Sequence, residues 1–144
     1  MDRITPYPFL FLLLTFLSYG LCAQNAVVKI SVTGIPKVKG QLLVAFYDSE
    51  DSFLKEDKVV YSKIVPVTGK TMDVYFKDIK QGVYAVAIIH DANNNKGLDV
   101  NFLGIPVEYI GTSNNKRNYF GAPSFSASKF TCNSPQVDLT IELY

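Results

Sequence analysis

Apolar and polar residues alternate with a period of two along much of the chain, and this pattern most constrains the fold because successive side chains of a β-strand point to opposite faces. Val28, Ile30 and Val32 alternate with Lys29, Ser31 and Thr33 before Gly34 and Pro36 end the run. Met72, Val74 and Phe76 alternate with Asp73, Tyr75 and Lys77, and Val137, Leu139, Ile141 and Leu143 with Gln136, Asp138, Thr140 and Glu142. Each is a strand with one face in a core. Residues 42–47 and 83–89 are apolar on both faces, which predicts central strands, covered on both sides and lying side by side. Residues 61–67 read as an edge strand, since Pro66 cannot donate to a ladder. Thr68, Gly69 and Lys70 predict a hairpin turn into the Met72 strand. Residues 48–57 suit a loop or short helical turn pinned by Phe53 and Leu54.

About seven short strands and no amphipathic helix of useful length predict an all-β fold: an antiparallel immunoglobulin-like or prealbumin-like β-sandwich with one long ordered loop. The loop is residues 91–128. Phe102, Leu103, Ile105, Val107, Tyr109, Ile110, Tyr119, Phe120 and Phe125 give it too much apolar surface to leave in water, so it is expected as a packed lid over the central strands.

Residues 9–17, FLFLLLTFL, follow Arg3 and are too short for a membrane span, which needs about 20 apolar residues. They read as the apolar region of an export signal cut after Ala23, leaving 144 − 23 = 121 residues as a single domain over 24–144. The mature protein is then exported, to the periplasm or beyond, with no transmembrane segment. A lipoprotein box wants a small residue directly before the cysteine and an aliphatic one three before. Leu21 and Tyr19 hold those places, so lipid anchoring at Cys22 is not expected. Cys132 is left as the sole thiol and reads as a small core filler.

Fourteen Lys and Arg against thirteen Asp and Glu give a net charge of +1, which carries no electrostatic footprint for nucleic acid or for an anionic membrane. One histidine and two cysteines exclude a multi-cysteine zinc site and a histidine-rich catalytic centre.

The most distinctive run is His90-Asp91-Ala-Asn93-Asn-Asn95-Lys-Gly-Leu-Asp99-Val-Asn101. Oxygens at every second position suggest a calcium loop with Asp91, Asn93, Asn95 and Asp99 as ligands, although Lys96 and Phe102 stand where an EF-hand needs Gly and Glu. The same residues also build successive Asx-turns, which make a tight reversal without any ion. His90 with Ser113 or Ser124 and Asp91 or Asp99 contains the residue types of a nucleophilic triad but no Gly-x-Ser-x-Gly elbow. Glu108 with Asp91 or Asp99 contains those of a glycosidase carboxylate pair. Tyr109, Tyr119, Phe120 and Phe125 suit either an aromatic platform for sugar or peptide, or the loop's own anchoring core.

The expected working surface combines His90, Asn101, Glu108, Tyr109, Ser113 and Asn114. A non-enzymatic binding or accessory module of the cell envelope fits these parts, with envelope polysaccharide or protein as partner and calcium as the one candidate cofactor. A small envelope hydrolase acting on polysaccharide or peptide is the alternative.

Phe76-Lys-Asp78-Ile-Lys-Gln-Gly82-Val-Tyr84, the His90-Asp91-x-Asn93-x-Asn95 run, Leu98-Asp99, Asn101-Phe-Leu-Gly104-Ile-Pro106-x-Glu108, Gly111, Ser113-Asn114-Asn115 and Pro123-Ser124-Phe125 closely resemble the bacterial exported family called domain of unknown function 2141. The resemblance covers residues 27–144. The chain departs from the family pattern at Lys96, which stands where a glycine follows the second loop asparagine, with Gly97 one place later. Phe-x-x-Ile-x-x-Gly-x-Tyr is also similar to an element of prealbumin-like and collagen-adhesin B-type sandwich domains, which implies a structural or binding module.

Overall fold

Alternation becomes two facing sheets. A computed structural model describes residues 25–118 and 121–144. The export-signal residues with Cys22, and the aromatic pair Tyr119 and Phe120, lie outside the described residues. The strands are β1 (Ala26–Thr33), β2 (Gln41–Tyr47), β3 (Tyr61–Pro66), β4 (Met72–Ile79), β5 (Gly82–Asp91), β6 (Ile110–Thr112), β7 (Phe130–Cys132) and β8 (Gln136–Glu142), with one helical turn, α1 (Phe125–Ser128). One sheet runs β4-β1-β8 and the other β3-β2-β5-β6, with β7 also pairing β5. This is the all-β sandwich that the alternation implies.

Val28, Ile30 and Val32 of β1, Val74 and Phe76 of β4 and Ile141 of β8 face Leu42, Val44 and Phe46 of β2 and Tyr84, Val86 and Ile88 of β5 across one core. Phe46 sits at its aromatic centre, 4.6 Å from Phe76 and edge-on to Tyr61, Tyr84 and Phe130, an arrangement that aligns ring edges with faces. Cys132 is a buried free thiol in the same core. As expected, β2 and β5 pair directly, and β3 with Pro66 is an edge strand.

Four features depart from the sequence reading. The strands number eight among the described residues, because Phe130–Cys132 pairs with the start of β5. The turn after β3 is not a hairpin: β3 pairs with β2 while β4 pairs with β1, so residues 67–71 cross from one sheet to the other. Crossing lets the apolar side of β4 close the core from above, and Lys63 Nζ of β3 donates to the Tyr75 carbonyl of β4 at 2.8 Å. The sandwich is not wholly antiparallel either, since β1 and β8 run parallel in register from Val27↔Gln136 to Thr33↔Glu142.

The fourth departure concerns the lid. The outer side of the β2–β5 ladder is covered by Phe53 and Phe125, which pack on Tyr47 and Ala85 with their rings 6.0 Å apart. Leu54, expected to pin the same segment, takes a left-handed φ of 62° and is exposed. The segment between Asp91 and β6 does not fold back over the sheet, because it reverses on itself through a bridge between Val100 and Pro106. Phe102 is 95% exposed and Leu103, Ile105 and Val107 are all more than half exposed.

Candidate functional site

β5 ends in His90 and Asp91, and the chain beyond is ordered by hydrogen bonds rather than by burial. His90 is buried between neighbours: its backbone N–H donates to the Tyr109 carbonyl at 2.8 Å, and its Nε2 lies 2.8 Å from the Lys39 carbonyl. A carbonyl only accepts, so the proton is on Nε2. The turn of residues 37–40 therefore packs against the exit of β5. Gly40 permits this approach, with φ of +74° and a Cβ position that would fall 2.2 Å from the Asp91 carbonyl oxygen.

Asp91 has no exposed surface. Its Oδ2 accepts from Gln41 Nε2 at 2.7 Å and from the Lys96 N–H at 2.8 Å, and its Oδ1 from the Asn95 N–H at 3.1 Å. Burial pushes this carboxyl up, but Gln41 and the backbone N–H groups of Lys96, Asn95 and Asn94 outweigh it and hold the group below the ordinary carboxylate range. Asn93 Oδ1 accepts from the Asn95 N–H and Asn95 Oδ1 from the Gly97 N–H, which are two successive Asx-turns. The amide nitrogens of the same two residues donate to Asp99, at 2.6 Å and 2.8 Å. Glu108 closes the ring, accepting from the Ala92 and Asp99 N–H groups.

Asp91, Asn93, Asn95 and Asp99 are thus brought together, but as a hydrogen-bonded ring whose oxygens accept N–H donors. Both asparagines turn nitrogen, not oxygen, toward Asp99. Among the described residues, no three His, Cys, Asp or Glu side chains cluster closely enough to share a metal ion. Backbone φ values of 63° at Asn94 and 66° at Lys96 let the reversal close.

Above this ring projects a tip, residues 100–107. Asn101 organises it: its Oδ1 accepts from the Leu103 and Ile105 N–H groups, its carbonyl from Gly104 N–H, and its own N–H donates to the Ile105 carbonyl.

Beyond β6, Ser113-Asn114-Asn115 is a clasp. Ser113 Oγ accepts from the Val86 N–H at 2.9 Å and donates to the Ser128 carbonyl at 2.5 Å, fully buried. Asn114 Nδ2 donates to the carbonyls of Ala127 and Lys129. Asn115 donates to the Thr140 carbonyl and accepts from the Glu142 N–H, imitating a strand partner for β8.

Of the six residues expected on a working surface, Asn101, Glu108 and Tyr109 stand at the projecting end. His90 is buried beneath it, Ser113 is buried against the middle of β5 and Asn114 is a clasp, so these three support the fold instead of presenting a surface. Ser113 bonds to residue 86, four positions along β5 from His90, and Ser124 Oγ caps α1 by accepting from Ala127 N–H. Neither serine faces the histidine as a nucleophile faces its base. Phe125, which suited either an aromatic platform or the loop's own anchoring core, is in the small core with Phe53. Gln41 had no sequence signal, since it acts across a register that only the folded sheets define, and Asn115 was marked only as part of the Ser113-Asn114-Asn115 motif.

No curated protein and no solved structure matches the chain. A family model described as an uncharacterized protein conserved in bacteria, DUF2141, matches residues 30–140, from β1 into β8 and across the whole site, and the chain belongs to that family.

Proposed function

We propose that this is an exported binding or accessory module of the bacterial cell envelope, whose working surface is the tip at residues 100–107 on its hydrogen-bonded base. One observation carries the reading: four apolar side chains, Phe102, Leu103, Ile105 and Val107, are held out in water by a loop whose conformation is fully specified. Exposed apolar clusters of this kind mark interaction sites, and an ordered scaffold beneath a loop is the usual support for recognition. Export rests on the short apolar run at residues 9–17 and the small residues before Gln24.

Fractionation of the native host tests both parts. The mature protein is expected to begin at Gln24 by intact mass and to distribute to the envelope fraction, while Phe102→Ser/Leu103→Ser is released from it with an unchanged melting temperature. Identical distribution of the two proteins would remove the tip from the function.

A further inference from the structure

We infer that the chain has a second binding site, separate from the tip, which takes a sugar ring into a cleft between the two sheets at the start of β5. The cleft, about 640 Å³, lies where β2 ends before Asp48, β3 begins at Tyr61, β4 ends and β5 begins at Gly82. The tip is beyond the other end of the same strand. Ligand pockets commonly measure about 300–1,000 Å³.

The element Phe76-Lys-Asp78-Ile-Lys-Gln-Gly82-Val-Tyr84, which the tip leaves unexplained, builds most of this cleft. Phe76, Ile79 and Tyr84 anchor it in the core, while Asp78, Lys80 and Gly82 line the opening. Between the pairs Val28↔Phe76 and Ala26↔Ile79, β1 advances two residues and β4 three, so β4 bulges, and Asp78 sits in the bulge with a left-handed φ of 61°. Glycine adopts such a φ most easily and aspartate tolerates it. The bulge thus turns a carboxylate-bearing residue onto the rim of the cleft. At Gly82 the φ is not positive, so the backbone does not require glycine there. A Cβ would lie 3.2 Å from the Tyr84 ring and hydroxyl and crowd the wall they form.

Hydrogen bonding decides the ligand class. The Lys80 N–H donates to Tyr61 Oη at 3.4 Å and Tyr84 Oη donates to the Lys80 carbonyl at 3.0 Å, so these groups are engaged in the turn. Burial first, and among its neighbours Tyr61 and the Asp48 charge, push the Tyr84 hydroxyl up to about 12, which sets Asp48 beside it. Asp48 Oδ1 accepts from the Ser49 and Ser52 hydroxyls, whereas its Oδ2 and the Asp78 carboxylate take no donor from the described residues. The cleft therefore offers acceptors, and its ligand is a donor. An ammonium would face Lys80 in the same lining, and an anion would face both aspartates. A sugar ring carries neither charge: its hydroxyls donate to carboxylate oxygens in charge-assisted bonds, and its C–H face packs on the half-buried Tyr61 ring.

Amide proton–nitrogen spectra of the mature protein are recorded with millimolar maltotetraose, with millimolar tetra-N-acetylchitotetraose, and with the cationic glucosamine tetramer. At least one neutral sugar is expected to shift the Lys80 and Gly82 amides while leaving Leu103 in place. Asp48→Asn and Asp78→Asn should each weaken that binding about tenfold or more. Asp78 is exposed and asparagine also tolerates a left-handed φ, so Asp78→Asn should melt with wild type. Unshifted Lys80 and Gly82 amides with both neutral sugars, or Asp78→Asn binding as tightly as wild type, overturns the site. Shifts with the cationic tetramer alone would make the cleft an amine site and overturn the sugar assignment. Shifts confined to Leu103 would move the sugar to the tip, overturning the cleft while the proposed function stands.

Discussion

Gln41 and Asp91 are the end pair of the β2–β5 ladder, and across it Gln41 Nε2 donates to Asp91 Oδ2 at 2.7 Å. The contact joins the first residue of one central strand to the last of the other. It also fixes the carboxylate that receives the Asn95 and Lys96 N–H groups, so the ordering of the whole projecting loop starts from a sheet register.

Asp91→Asn should destabilise the protein by about 2–3 kcal/mol, because a buried, charge-assisted set of hydrogen bonds loses its charge and one acceptor. The pH dependence has a definite sign. The folded carboxyl is held below its unfolded value near 3.9, so the folded state binds fewer protons, and the stability it confers is complete above that value and lost as pH falls through the depressed one. Urea unfolding from pH 6 to pH 2 is expected to show a steeper acid limb for wild type than for Asp91→Asn. Parallel limbs would mean that Asp91 is not held in its charged form.

A thermal melt in millimolar calcium against excess chelator is expected to show no shift. A cation would have to displace the Asn93 and Asn95 amide nitrogens from Asp99 and the backbone N–H groups from Asp91. Binding at 100 times the dissociation constant would raise stability by about 2.7 kcal/mol. A rise of several degrees would show that the ring opens to take the ion.

Lys96 carries the left-handed backbone of the reversal at φ of 66°, whereas the neighbouring Gly97 does not have a positive φ. Left-handed backbone costs a side-chain-bearing residue about 1–2 kcal/mol, part of which glycine returns through its looser unfolded state. Lys96→Gly is therefore expected to stabilise by about 0.5–1 kcal/mol in chemical denaturation. A loss of stability would show that the Lys96 side chain holds the loop.

Strand faces were legible because burial imposes the period directly: Val28, Ile30 and Val32 are buried and their neighbours are not. Sheet partnership was less so. Thr68-Gly69-Lys70 has turn chemistry whether the chain returns beside itself or crosses to the other sheet, and only the packing of Phe46 on Phe76 between sheets decides for the crossing. For the site, the Asp and Asn spacing located the ordered loop. It did not orient the amides, since Asn offers oxygen and nitrogen equally and the choice falls to Asp99 and the backbone N–H groups around it. Apolar content misled at Phe102 and Leu103, because hydrophobicity says that a side chain avoids water without saying whether this chain supplies the cover.

Ser113 separates a structural clasp from a catalytic serine most directly. Its Oγ accepts the Val86 N–H and donates to the Ser128 carbonyl in a fully buried position, joining the middle of β5 to the end of α1. Val86 already has a ladder partner in Phe46 on its other side, so Ser113 serves the edge that β6 and β7 leave open between Tyr84 and Ala87. Removing the hydroxyl leaves a buried N–H and a buried carbonyl without their partner. Ser113→Ala should cost about 1–3 kcal/mol in urea unfolding, with faster proteolysis or amide exchange at α1 and β7 as the local sign. Ser113→Thr should not rescue it, since the added methyl has no room in a closed-packed site. If Ser113→Ala left stability unchanged and instead abolished hydrolysis of an envelope peptide or polysaccharide, the serine would be a nucleophile, and the clasp would have to be assigned to Asn114 and Asn115 alone.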